Sequence, residues 1–217
     1  MTGPNVIAVD GPGGSGKSTV SRAVAGRLGW RHLDTGAYYR AATVAVLESG
    51  VDPADAEAAL AGLDGHRFDQ VAGTMLLDGR DISAEIRSVE VTAAVSLVAA
   101  HPSVRARMVE LQRDWVSEHG GAVVEGRDIG TVVFPDAPVK VFLTADPAER
   151  ARRRAGETAT AIHGVAEALR RRDHLDSTRE ASPLRPADDA LVIDTTDMSV
   201  DEVVDHITSA ATTAGIA

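Results

Sequence analysis

The sequence predicts an α/β fold: a parallel sheet of about five strands flanked by helices, with a small antiparallel β part inserted in it. Three observations carry this. Short apolar runs bounded by turn residues alternate with stretches of helical periodicity along most of the 217 residues. A glycine-rich loop, "GPGGSGKS", joins the first such run to the first helical stretch. From about residue 66 to 82 the pattern changes to short alternating segments, "RFDQ", "TMLLDG" and "RDIS", broken by Gly and Asp.

Taken in order, residues 6–9 form a buried strand. Val20, Ala23, Val24 and Leu28 then recur at helical spacing with Arg22 and Arg27 outside, and Gly29 ends the helix. Residues 31–34 read as a second strand and 37–47 as a helix with Ala41, Val44 and Leu47 on one side. Pro53 opens a short alanine-rich helix. After the inserted β part come helices over 89–100 and 102–116, the second with Pro102 in its first turn and Val104, Met108, Leu111 and Trp115 turned inward. Strands at 122–125 and 139–143 flank the turn-rich "FPDAP". Asp146-Pro147 starts a helix reaching about residue 154, and 191–194 is the last strand. The final helix buries Val200, Val203, Val204 and Ile207.

Hydrophobic content of 44% and charged content of 25% suit a globular domain, and with 3% aromatics the core must be aliphatic. The absence of cysteine excludes disulfides, thiolate–metal sites and thiol nucleophiles. No basic flank and apolar run open the chain, and no apolar stretch approaches the ~18 residues of a membrane span, so no signal peptide, no membrane association and a cytoplasmic location are expected. A net charge of −10 argues against nucleic-acid polymers as partners. Arginines nonetheless cluster at Arg152–Arg154 and Arg170–Arg172, which suits small phosphorylated ligands, and a monomer is expected.

Lysine is rare: Lys17 and Lys140 are the two lysines among 22 basic residues. Lys17 stands in Gly11-x-x-x-x-Gly16-Lys17-Ser18, between a strand and a helix, where a P-loop belongs. Glycines let successive N–H groups turn inward as an anion nest, and the helix N-terminus adds partial positive charge. A compact ammonium fits that cradle where a planar guanidinium does not. ATP is therefore expected on Gly11, Pro12, Gly13, Gly14, Ser15, Gly16, Lys17, Ser18 and Thr19, with Mg2+ on the Ser18 hydroxyl. No base-reading segment of the GTPase kind occurs. "AVVEGRD" does not read as the apolar strand ending in adjacent acids of motor ATPases, so no acidic Mg2+ partner is evident. Asp34, acting through water, is the candidate.

The segments "IAVDGPGGSGKST", "LDTGAYYRA", "DGRDISAEIR", "EGRDIGTVVFPDAPVKVFL" and "SPLRPADDALVIDTT" together resemble the bacterial cytidylate (CMP/dCMP) kinase family, in unchanged order from residue 6 to about 205. The resemblance implies a single P-loop kinase domain over 1–217. Within it, residues 62–88 would be the inserted β part of a monophosphate-binding subdomain, and 150–180 a lid with its following helix. It implies phosphoryl transfer from ATP to CMP or dCMP with Mg2+. Thr35, Tyr39, Arg40 and Arg127 would then sit at the monophosphate, Ser96, Arg105 and Asp128 at the cytosine edge, and Arg172, Asp176 and Arg179 at phosphate and sugar. Lys17, Arg127 and, from the lid, Arg153 and Arg154 would be the catalytic cations. A continuous helix would put Arg172 and Arg179 on one face. His32, His101 and His174 have no ligand spacing, and Tyr38 reads as packing. Two alternatives stay open: a monophosphate kinase selective for UMP or AMP, and a nucleotide-binding regulator without catalysis.

Overall fold

The structure is a computed structural model, and it describes residues 5–71, 73–158, 162–179 and 181–217. The chain divides into two compact units, one running up to His32 and resuming at His119–Ala217, the other Leu33–Glu118.

The first unit is built on a five-stranded sheet of β1 (Asn5–Asp10), β2 (Arg31–Asp34, whose range runs two residues past the unit), β6 (Gly121–Gly126), β7 (Val139–Thr144) and β8 (Leu191–Asp194), in the order β2-β6-β1-β7-β8. β1 pairs in parallel with β6 and β7, and β7 with β8. Each pairing therefore needs a crossover. The central β1 is buried from Val6 to Asp10, as a strand covered on both faces must be. Ile7, Val9, Val123, Val141 and Leu143 pack against Val20 and Val24 of α1 (Lys17–Leu28) and Val203, Val204 and Ile207 of α8 (Val200–Thr213). The chain leaves β1 toward β2 on one side and later returns to β7 and β8 on the other. The order thus reverses at β1, and in such sheets ligands gather beyond the carboxyl end of the strand at that reversal.

The second unit contains α2 (Thr35–Glu48), α3 (Ala56–Ala61), the short strands β3 (Phe68–Val71), β4 (Thr74–Leu77) and β5 (Arg80–Asp81), α4 (Val89–Val98) and α5, whose range Pro102–His119 runs one residue past it. The three strands form a separate antiparallel sheet in the order β3-β4-β5. α2 packs against α4, β4 and the 3-10 turn Glu85–Arg87. Two further helices, α6 (Pro147–Thr158) and α7 (Ile162–Thr178), belong to the first unit and share a small core of Ala151, Ala155, Val165 and Leu169. Residues 159–161 and 180, within the expected lid, lie outside the described residues.

The five sheet strands fall where the sequence puts them, within a residue or so at each end; several details differ. Val200 is 41% exposed, because it is the first residue of α8, and Ala211 takes the inward place a turn beyond Ile207. On α5, Leu111 is only half-buried while Arg105 and Gln112 are buried. The alanine-rich helix starts at Ala56, where the Asp55 side chain caps the Glu57 and Ala58 amides, and not at Pro53. α7 ends at Thr178, so Arg179 is not on its face but in the chain just beyond it.

Gly11 has φ +147, and a Cβ there would stand 2.1 Å from the Leu143 carbonyl oxygen of β7. Gly29 has φ +67 with nothing within 4 Å of its Cβ position. In urea denaturation, Gly11→Ala is expected to lose about 3 kcal/mol or more, from strain and clash together, and Gly29→Ala about 1 kcal/mol from φ alone. Equal losses would mean that the Gly11 backbone relaxes freely.

Candidate active site

The candidate residues Asp10 and Glu125 lie at the carboxyl ends of β1 and β6. β1 delivers the chain into the loop 11–16, and α1 begins at Lys17 with Gly16 as its N-cap at φ 88 and no side-chain cap. Gly14 has φ 76, and a Cβ there would stand 2.7 Å from the Arg150 carbonyl oxygen, so α6 closes on this loop more tightly than a side chain permits. The first amides of α1 point out of the helix N-terminus, an arrangement that favours a polyanion.

Lys17 is 7% exposed; its Nζ donates to the Pro12 carbonyl at 2.7 Å and lies 3.5 Å from Ser15 Oγ. Burial and then the charge of Arg127, with a smaller push from Arg172, bring its ammonium down to about 7, while Glu125 and Asp10 pull it back. An ammonium that loses its proton this readily is waiting for negative charge.

Glu125, near the end of β6, is 3% exposed and stands opposite Val9 in the β1–β6 register. Ser18 Oγ donates to its Oε2 at 2.8 Å, and His32 Nε2 lies 2.9 Å from its Oε1. Burial pushes this carboxyl up, but the His32 hydrogen bond, Lys17 and Ser18 outweigh it and hold it below its usual range. β6 thus ends near one acid, Glu125, beside the P-loop hydroxyl, and the adjacent acids of motor ATPases are absent from it, as the sequence reads; what the sequence does not reveal is that this single carboxylate faces Ser18. The hydroxyl and carboxylate are hard oxygen donors of the kind Mg2+ takes, so this pair fits the cation. Among the described residues no group of three His, Cys, Asp or Glu could hold a metal, so a cation here would complete its shell from phosphate and water.

Asp10 ends β1, and its two carboxylate oxygens accept from the Ile129 and Gly130 amides at 2.8 Å each. This fastens the π-helical turn Ile129–Val133, and with it the "GRD" segment, to the base of the phosphate loop. Burial drives the Asp10 carboxyl up to about 6 against those two hydrogen bonds.

Of the arginines expected at the phosphate, Arg127, Arg172 and Arg179 gather at Asp176. Arg127 Nε donates to its Oδ2 at 2.9 Å, Arg172 Nε is 3.8 Å from the same oxygen, and Arg179 Nη1 is 3.8 Å from Oδ1. Arg179 Nη2 is also 3.7 Å from Asp128. Burial raises the Asp176 carboxyl, yet Arg127, Arg172 and Arg179 together hold it below the usual range. Arg127 also reaches toward the phosphate loop, its Nη2 lying 3.9 Å from where a Gly13 Cβ would be.

In the second unit, Thr35 is buried at the start of α2, and the Arg105 guanidinium lies 5.4 Å from the Tyr39 ring centroid. Such a contact contributes about 1 kcal/mol. Arg40 donates to the Ile86 carbonyl and Thr92 Oγ1, both at 3.4 Å, and Ser96 is half-buried on α4. Asp34 accepts from the Ala37 amide and caps α2. Tyr38 is buried, as its packing role requires.

The arginine triplet divides. Arg152 is exposed and pairs with Glu149. Arg153 binds Glu149 and the carbonyls and hydroxyl of the Thr195–Thr196 turn, and its Nη1 is 3.8 Å from a Gly16 Cβ position. Arg154 is half-buried and has an interaction of its own. Sequence reasoning passed over Arg150, which is buried and donates to the Ala145 and Gly13 carbonyls and to Asp173. Its only sequence signal was a place one turn into a helix that follows a β-strand. Thr195 was also missed; its hydroxyl donates to the carbonyls of Ser15 and Thr144.

A family model described as cytidylate kinase matches residues 7–213. The chain is 52% identical over 216 residues to a cytidylate kinase of Mycolicibacterium paratuberculosis, covering 95% of each chain, and 53% identical over 207 residues to one of Mycobacterium leprae, covering 93% of each. It is also 51% identical to a bifunctional pantoate ligase/cytidylate kinase of Synechococcus, of whose length it spans 44%. Among solved structures, an uncharacterized protein from Eubacterium ventriosum matches with TM-score 0.52 at 13% identity, over 94% of this chain and 96% of that one, a likeness of fold alone.

A lysine held near 7 when folded and at 10.5 when unfolded means that the unfolded chain binds more protons between those values, so stability rises with pH through that window. Lys17→Met is expected to be more stable than the parent at pH 7, by something on the order of a few kcal/mol, with the gap closing toward pH 10. Affinity for a nucleoside triphosphate should fall at least tenfold in the same variant. Urea unfolding at several pH values and equilibrium titration check both; a variant less stable at pH 7 would mean that the ammonium supports the loop.

Proposed function

The chain belongs to the cytidylate kinase family, and we propose that it transfers the terminal phosphoryl group of ATP to CMP or dCMP, giving ADP and CDP or dCDP. The observation that carries the reading is the shared electrostatic neighbourhood of the phosphate-loop ammonium Lys17 with Arg127 and Arg172. Cations that act on one another this way favour phosphates meeting among them, because like charges that repel at rest become compensated when the anions arrive.

In this mechanism no side chain is a nucleophile. An oxygen of the CMP phosphate attacks the γ-phosphorus of ATP, the bond from that phosphorus to the β,γ-bridging oxygen breaks, and ADP departs. The loop amides and Lys17 hold the triphosphate. Arg127, Arg172 and Arg179 hold the monophosphate and screen the repulsion between the two anions as they approach. Thr35, Tyr39 and Arg40 are assigned to the same monophosphate. Asp176 keeps the arginines gathered and takes the sugar hydroxyls. Ser96, Arg105 and Asp128 read cytosine: a carboxylate accepts from its N4 amine while Ser and Arg donate to N3 and O2, a pattern that uracil's O4 reverses. Arg153, Arg154 and Arg150 line the triphosphate side. Ser18 and Glu125 would hold Mg2+, with Asp34 as the remaining acidic candidate through water. Bound there, the cation would neutralise charge on the phosphate oxygens.

With saturating Mg·ATP, a panel of CMP, dCMP, UMP and AMP assayed by coupled ADP release should give turnover with the two cytosine nucleotides and little with the others. Comparable rates for UMP and CMP would overturn the assignment of Asp128. Arg172→Ala should raise KM for CMP by about ten- to a hundredfold, the range for one charged hydrogen bond, while KM for ATP stays near the parent's. Equal losses for both nucleotides would misplace that arginine.

A further inference from the structure

Beside the phosphate loop, three side chains form a line from β2 to α1. His32 Nε2 lies 2.9 Å from Glu125 Oε1, and Ser18 Oγ donates to Glu125 Oε2 at 2.8 Å. The His32 and Glu125 side chains are 11% and 4% exposed, so water competes little for either bond. A carboxylate tethered at one oxygen still swings about its terminal torsion; a second bond, to the other oxygen, removes that freedom. An ionised carboxylate only accepts, so the histidine donates from Nε2. Phosphoryl transfer as set out above gives this histidine no task of its own, and an apolar side chain would fill the same half-buried place on β2 without needing a partner.

We infer that His32 is a positioning residue: through Oε1 it holds Glu125 with Oε2 turned to the Ser18 hydroxyl, so that carboxylate and hydroxyl meet the divalent cation of the nucleoside triphosphate as a fixed pair. The inference rests on the reading of the loop 11–18 as a triphosphate site, and it extends that site by a residue that touches neither nucleotide. Groups that orient an oxygen ligand of a cation typically change its affinity ten- to a hundredfold when removed.

The test is equilibrium titration of ATP into the full-length protein, once with EDTA and once with Mg2+, the readout being the gain in affinity that the cation brings. His32→Leu should leave the EDTA affinity unchanged and cut the Mg2+ gain by about tenfold or more. His32→Gln, whose amide nitrogen can donate to the same Oε1, should recover most of the gain. In steady state the Leu variant should need more Mg2+ for half-maximal rate while its KM for CMP stays put. Should His32→Leu fail to fold, His32→Asn, whose amide is too short to reach, takes its place with the same expectation. A Leu or Asn variant with the parent's Mg2+ gain overturns the inference, and so does a Gln variant that loses as much as Leu. A parent protein that binds no ATP under either condition overturns the triphosphate reading itself, a result distinct from both.

Discussion

Positive charge crowded into a buried place is the constraint around which this molecule is arranged. Lys17 sits at the end of a glycine-rich loop with the charges of Arg127 and Arg172 acting on it, and burial alone already disfavours its proton. Left uncompensated, such a set would disperse or neutralise. Carboxylates prevent this. Glu125 and Asp10 act on the lysine, and Asp176 gathers Arg127, Arg172 and Arg179 around one side chain. The acids do not cancel the site's purpose. They hold the cations together around the loop and Asp176.

The sheet makes this arrangement possible. With β1 central and β6 and β7 on either side, the ends of three adjacent strands deliver Asp10, Glu125 and the turn after Thr144 to one edge. Parallel strands place all their carboxyl ends on the same side, so residues far apart in sequence arrive together without long side chains. Asp10 shows the economy of this: one carboxylate closes β1 and also secures the "GRD" segment through two backbone amides.

Much of this was legible in the sequence. The inner strands β1, β6 and β7 were marked by apolar runs, because strands inside a covered sheet are largely buried, and the inserted antiparallel strands by a change to alternation; the edge strand β2, Arg-His-Leu-Asp, carries a single apolar residue. Lys17 stood out through the rarity of lysine. Glu125 did not, because a single acid followed by Gly-Arg-Asp lacks the doubled-acid pattern, and its role depends on a strand pairing with β1 that spacing does not reveal. Arg150 was hidden among neighbouring arginines; burial and its bonds to Gly13, Ala145 and Asp173 set it apart from the exposed Arg152. The end of α7 at Thr178 was likewise invisible, since nothing in "HLDSTRE" stops a helix as glycine or proline would. His32 carried no spacing signal and is identified by its bond to Glu125.

The compensation of buried charge by incoming phosphate is open to direct measurement through protons. Calorimetric titration of ATP into the protein at pH 8, repeated in buffers of different ionisation enthalpy, counts protons taken up on binding. With Lys17 held near 7 in the free protein, most molecules lack that proton at pH 8, and a triphosphate should restore it. The account predicts an uptake approaching one proton per ATP, which disappears in Lys17→Met. Binding without uptake, or an uptake that persists in that variant, would contradict it.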